Sequence, residues 1–172
     1  MEGQQNIIDL IRLEVDSGEW DIRTRGCIKH HERMVYYVTL PEIRSVALDG
    51  SGDIIGEGIF VSPEVEFEVT GSGSITAEVE AQAVEVEVTG SGDVVVAGAS
   101  DLLDIGITGS GECDAYGLSA DEVQVDVEGS GNAYVHALDL LRINIKGSGD
   151  VYYSGDPVIH SSISGSGKLI PR

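Results

Sequence analysis

The triplet Gly-Ser-Gly occurs seven times, starting at Gly50, Gly71, Gly90, Gly109, Gly129, Gly147 and Gly165, at steps of 21, 19, 19, 20, 18 and 18 residues. A unit of about 20 residues cannot enclose a core of its own. Each repeat must therefore bury its apolar side chains against the next, and the chain is constrained to a solenoid. Ahead of the triplets the residues alternate: Val65, Phe67 and Val69 against Glu66, Glu68 and Thr70, then Val84, Val86 and Val88 against Glu85, Glu87 and Thr89. The pattern returns as Leu103, Ile105, Ile107, as Val123, Val125, Val127 and as Leu141, Ile143, Ile145. Period two in β-branched residues means strands with one buried face. A second short alternation follows each triplet, with Ile54, Ile75, Val94, Cys113, Ala133 and Val151 at one equivalent position. The prediction is an all-β chain, a single-stranded parallel β-helix (β-solenoid) of about seven to eight coils in which like residues stack about 4.8 Å apart.

The triplets are its corners: Gly50, Ser51, Gly52; Gly71, Ser72, Gly73; Gly90, Ser91, Gly92; Gly109, Ser110, Gly111; Gly129, Ser130, Gly131; Gly147, Ser148, Gly149; and Gly165, Ser166, Gly167. Either glycine of a corner can take a positive φ, and the serines are expected to form a column whose hydroxyls share hydrogen bonds between coils. That role is structural, because no His or Asp recurs beside the serines in the manner of a nucleophilic triad.

With 172 residues, 41% hydrophobic but only 5% aromatic, the chain can fill one elongated core. We expect a single domain over residues 1–172, in which 1–49 are irregular first coils that cap the column and 50–172 are regular repeats. In the first part, Asp16-Ser17-Gly18-Glu19 reads as a degenerate corner and Trp20 as a plug for the open end. No run of about 18 apolar residues is present to span a membrane. Met1-Glu2-Gly3-Gln4-Gln5 does not begin like a signal peptide. At the other end, Lys168-Leu169-Ile170-Pro171-Arg172 combines basic residues with a proline, features that discourage edge pairing. A second subunit is the alternative cover, so a homo-oligomer is one expectation.

Certain stretches carry a family likeness. These are the Gly-Ser-Gly-Asp corners at Gly50–Asp53, Gly90–Asp93 and Gly147–Asp150, the run Val35-Tyr36-Tyr37-Val38-Thr39-Leu40-Pro41-Glu42-Ile43, and Val151-Tyr152-Tyr153-Ser154-Gly155-Asp156-Pro157 followed by Ile163–Lys168. In these the chain, from about Leu10 onward, resembles the putative auto-transporter adhesin, head GIN domain family. The resemblance implies a right-handed parallel β-helix and a place outside the cytoplasm, in the periplasm or at the cell surface. It also implies an adhesive role toward a protein or carbohydrate, and it carries over no catalytic residues.

The formal net charge is -20, and nineteen acidic residues but no Lys or Arg lie between Gly50 and Leu141. Nucleic acid is thereby excluded as a partner, since phosphate binding needs a basic footprint. The charge is predicted to concentrate in outward columns: Glu66, Glu85, Asp104; Glu68, Glu87, Asp126; and, at the corners, Asp53, Asp93, Glu112, Asp150. Stacked like charges repel, and three readings offset this: screening on a solvated face, Ca²⁺ shared between coils, or docking of a basic or carbohydrate partner. For calcium the candidate ligands are Glu66, Glu68, Glu85, Glu87, Asp104 and Asp126. The corners differ from calcium-binding nonapeptide repeats, because Ser74, Asn132 and Lys168 interrupt their acidic column.

Other chemistry is sparse. His30 and His31 are adjacent and would point to opposite faces of a strand, His136 and His160 are isolated, Cys113 is an inward position, and Cys27 lies in the irregular part. A polysaccharide-active enzyme needs a groove with an acid and a base, and the central repeats contain no basic residue and little length for loops. An ice-binding face would need an unbroken threonine array, whereas Thr70, Thr89 and Thr108 give way to Glu128 and Lys146. The sequence therefore points to a non-enzymatic binding or structural module with no cofactor, calcium being the alternative.

Overall fold

The computed structural model describes residues 11–16, 18–24 and 34–172, in two units, Met1–Pro41 and Glu42–Arg172. In the first unit, β1 (Ile11–Asp16) and β2 (Glu19–Thr24) pair antiparallel, with Val15 opposite Trp20 and Gly18 at φ 89° in the connection. The expected degenerate corner at Asp16–Glu19 is thus a hairpin turn. A connection this short can only reverse the chain, whereas a parallel neighbour requires a full coil between strands. Ile7, Ile8, Leu10, Cys27, Lys29, His30, His31 and Glu32 lie outside the described residues.

The second unit is one parallel stack. Its strands are β3 (Ser45–Gly50), β4 (Asp53–Gly71), β5 (Ser74–Gly90), β6 (Asp93–Gly109), β7 (Glu112–Gly129), β8 (Asn132–Gly147), β9 (Val151–Ser154), β10 (Val158–Gly165) and β11 (Leu169–Pro171). They run in the order β11-β9-β8-β7-β6-β5-β4-β3, with β10 also paired to β8, which makes a β-solenoid of about 7 turns. Stacking starts at Ser45, ahead of the first triplet, because Val46 and Leu48 already meet Phe67 and Val69 in register.

Register follows the sequence period. Ser74 lies opposite Asp93 and Gly90 opposite Gly109, so the β5–β6 offset is the repeat length throughout. Repeats of other lengths absorb the difference in mid-coil, between Ile55 and Ile59, Val95 and Ala97, or Ala115 and Ser119. The long alternating segment before each corner is therefore undisturbed. Its inward side chains fill the lumen in rows, for example Phe67, Val86, Ile105, Val125 and Ile143, all buried. Each such side chain contributes roughly 1.5–3 kcal/mol by leaving water. Cys113 belongs to this core, and burial, with Asp114 and Glu112 adding to it, pushes its thiol pKa up.

The two glycines of a corner differ in backbone conformation. Gly71 has φ 125°, and the first glycine of every other triplet is likewise left-handed. The second glycine is not, contrary to the expectation that both might use that freedom. Space is a constraint on both: a Cβ on Gly90 would stand 2.5 Å from the Gly71 carbonyl oxygen of the preceding coil, and one on Gly92 2.7 Å from the Gly73 carbonyl oxygen. The serine column exists, but the Ser amides make the inter-coil bonds, as from Ser91 N to Gly71 O (2.8 Å) and Ser110 N to Gly90 O (2.7 Å). The hydroxyls face solvent, because a side chain between two such glycines points away from the stack.

Candidate functional site

The outward residues of the segments that precede the corners form a ruled face. One column reads Glu66, Glu85, Asp104, Gln124, Arg142, His160, each opposite the next. Its neighbour reads Glu68, Glu87, Gly106, Asp126, Asn144, Ser162, and a third reads Thr70, Thr89, Thr108, Glu128, Lys146, Ser164. The alternation forces this arrangement, since every second side chain must leave the lumen and parallel register then places it over its counterpart.

The face is electrically graded along the stack. On β4 and β5 it presents Glu66 against Glu85 and Glu68 against Glu87 with no cation between them. From β6 onward each acid gains a partner in the next coil. Gln124 Nε2 donates to Asp104 Oδ2 (3.4 Å), Asn144 Nδ2 to Asp126 Oδ1 (2.8 Å), Arg142 Nη1 to Glu122 Oε2 (3.3 Å) and Lys146 Nζ to Glu128 Oε1 (2.6 Å). Lys146 accordingly holds the Glu128 carboxyl below its ordinary pKa. Glu87 is raised instead, first by loss of hydration and then by Glu85, Asp104, Glu68 and Asp126. Its carboxylate folds back over the sheet where Gly106 has no side chain, which explains the lost hydration of an otherwise exposed residue. Asp104 is raised by burial and by Asp126, against a backbone hydrogen bond from Ile105.

Glu66, Glu85 and Asp104 are brought together as a column, and so are Glu68 and Glu87. Asp126 is separated from Glu87 by Gly106, so the second acidic column is broken. The corner column is broken too. Ser74 Oγ donates to Asp53 Oδ1 (2.8 Å), Asn132 Oδ1 accepts from the Asp150 amide (3.0 Å), and Asp150 Oδ1 accepts from the Lys168 amide (2.8 Å). Among the described residues no three His, Cys, Asp or Glu side chains converge in a way that could hold a metal ion. A parallel stack spaces carboxylates along a line, whereas a Ca²⁺ site needs them to converge from several directions.

The feature that sequence reasoning missed is a groove of about 390 Å³ between the first two columns at their far end, lined by Gln124, Asp126, Arg142, Asn144, His160 and Ser162. It combines amides, a guanidinium, an imidazole, a carboxylate and a hydroxyl on three successive coils. The signal was present in the alternation, where the outward residues change from Glu and Asp to Gln, Arg, Asn and His.

The sequence profile of the putative auto-transporter adhesin, head GIN domain family matches residues 1–157. The chain belongs to that family. This head GIN domain superimposes on a putative adhesin from Bacteroides fragilis with a TM-score of 0.92 at 23% identity, over 97% of this chain and 78% of that one. A putative lipid binding protein from Parabacteroides distasonis is similar at TM-score 0.82 and 26% identity, over 98% of this chain and 81% of the other. A putative adhesin from the same species follows at 0.79 and 22%, over 98% and 81%. No curated protein matches this chain. The solved relatives share its fold. Among the described residues no helix is long and apolar enough to cross a membrane.

Proposed function

We propose that this head GIN domain is a non-catalytic, adhesin-like recognition module that works outside the cytoplasm and meets a carbohydrate with its ruled face. The observation that carries the reading is the groove lined by Gln124, Asp126, Arg142, Asn144, His160 and Ser162. Hydroxyl-rich ligands need donors and acceptors side by side, and parallel register supplies both at the coil spacing on a rigid sheet. Arg142 and Asn144 are already held by Glu122 and Asp126, so little side-chain freedom is lost on binding. The all-acid stretch at Glu66, Glu68, Glu85 and Glu87 would steer a basic surface and repel an acidic one.

The family and two of these solved relatives carry the names of adhesins and the third that of a lipid binding protein, which supports binding rather than turnover. Binding of the purified chain to an array of neutral, acidic and amino sugars tests the proposal, with and without a chelator. Saturable binding that Arg142→Ala and His160→Ala together reduce, at unchanged melting temperature, is expected. Binding that both variants retain would place recognition elsewhere. Loss on chelation alone would assign calcium a bridging role at the acidic columns.

A further inference from the structure

A second built surface lies on the segments that follow the corners, away from the groove. Asp114, Tyr134 and Tyr152 are opposite one another on β7, β8 and β9, and Tyr116 stands beside them where β7 is irregular. The rings of Tyr134 and Tyr152 are 4.8 Å apart and within 7° of parallel, so they stack at the coil spacing itself. Tyr116 is 6.1 Å from Tyr134 and tilted by 43°. Arg172 crosses all three rings, its guanidinium carbon 4.7 Å from the Tyr152 centroid, 5.5 Å from Tyr134 and 5.9 Å from Tyr116.

The choice of partner for Arg172 is informative. The chain has 30 carboxylates, yet among the described residues Arg172 forms no ion pair and rests on aromatic faces. A planar guanidinium stacks on tyrosine more favourably than a hydrated ammonium does, and all three centroids lie within the range of about 6 Å over which the attraction acts. The Tyr116 hydroxyl is enclosed and has no hydrogen-bond partner among the described residues. Its oxygen is an acceptor, and a guanidinium offers only donors. The Tyr134 pKa is raised first by burial and then by the charge of Glu112, and Asp114 accepts from the Tyr116 amide at 3.1 Å, so carboxylates border the ladder without filling it.

We propose that the Tyr116–Tyr134–Tyr152 ladder is a binding site for an arginine side chain of a basic partner segment, and that Arg172 occupies it in cis until displaced. The negative charge of the chain draws such a segment in, and the stacked rings then select arginine over lysine. This proposal is independent of the carbohydrate groove, which lies on the other strand segment of each coil.

The test uses the full chain as native protein, as Arg172→Ala, and as Arg172→Ala combined with Tyr134→Leu and Tyr152→Leu. Each is titrated with the peptide Gly-Arg-Gly-Arg-Gly, its lysine counterpart Gly-Lys-Gly-Lys-Gly and phosphatidylcholine vesicles, with tyrosine ring NMR shifts and calorimetry as readouts. Emptying the ladder is expected to tighten binding of the arginine peptide about tenfold over native and to leave the lysine peptide unchanged, and once the rings are removed neither peptide should gain. Three results would overturn the proposal: no gain in Arg172→Ala, an equal gain for the lysine peptide, or a gain for the choline headgroup in place of arginine. If Arg172→Ala does not fold, Arg172→Lys replaces it, with a gain of about threefold expected and no gain overturning the assignment.

Discussion

Glu87 is the point at which the acidic face is most strained, and removing its charge should stabilise the protein. Glu68 lies directly opposite it in the preceding coil, Glu85 is beside it on the same strand, and among the described residues no Lys or Arg pairs with it. Two unit charges about 4.8 Å apart repel by about 0.9 kcal/mol in bulk water. Salt at about 0.15 M, with a screening length of about 8 Å, lowers this to roughly half. Glu87→Gln keeps the shape and hydrogen-bonding capacity of the side chain. It should therefore add roughly 0.5–1 kcal/mol in low salt, a rise of about 1–4 °C in Tm for a chain of this size. The assay is thermal unfolding by circular dichroism at about 10 mM and about 500 mM NaCl. A gain that shrinks with salt is the expected result. A loss in low salt, or a gain that salt leaves untouched, would refute the repulsion argument.

Protons should act in the same direction as that substitution. Glu87 and Asp104 have folded-state pKa values raised above their ordinary ones, so the folded protein holds more protons than the unfolded chain between the two ranges. Stability should consequently rise as pH falls from 7 toward the ordinary carboxylate range near 4, and a Tm that drops over that interval would contradict the assignment. At the corners, Gly92→Ala must push a Cβ against the Gly73 carbonyl and is expected to cost about 1–3 kcal/mol or more, while Ser91→Ala, with its hydroxyl in solvent, should stay within about 0.5 kcal/mol in the same denaturant titrations. Cys113 is fully buried with its thiol pKa pushed up, so in a Cys27→Ser background an aromatic disulfide reagent at pH 8 should leave the native protein unmodified until the chain is unfolded, and prompt reaction of that variant would show the core to be open.

Much of this architecture is legible in the residues because two periodicities coincide. The Gly-Ser-Gly spacing sets the coil, and the alternation within it sets which side chains enter the lumen; Val65, Val84, Leu103, Val123 and Leu141 were readable as one inward row, and all are buried. The hairpin at Ile11–Thr24 was not readable as such, since a single degenerate triplet carries no register and antiparallel return fits the same alternation. That only the first glycine of a corner takes positive φ was hidden because both tolerate it, and from Gly71 onward the neighbouring coil leaves no room for a Cβ at either. The acidic columns were legible as far as Asp104. The break between Glu87 and Asp126 was not, because Gly106 looks like an ordinary strand residue until the Glu87 carboxylate is seen lying over it. Tyr134 and Tyr152 hold equivalent places after their corners, yet Arg172 reaches them only through the pairing of β11 with β9.

The recognition reading is tested most directly by adhesion of beads coated with the native chain, compared with beads bearing the triple variant Arg142→Ala, Asn144→Ala, His160→Ala, on polysaccharide-covered cell surfaces. These three side chains line the groove and lie outside the buried core, so the variant should melt as the native protein does. The account predicts that native beads adhere and that the variant loses at least about tenfold in half-saturating coat density. Equal adhesion of the two bead types would contradict it.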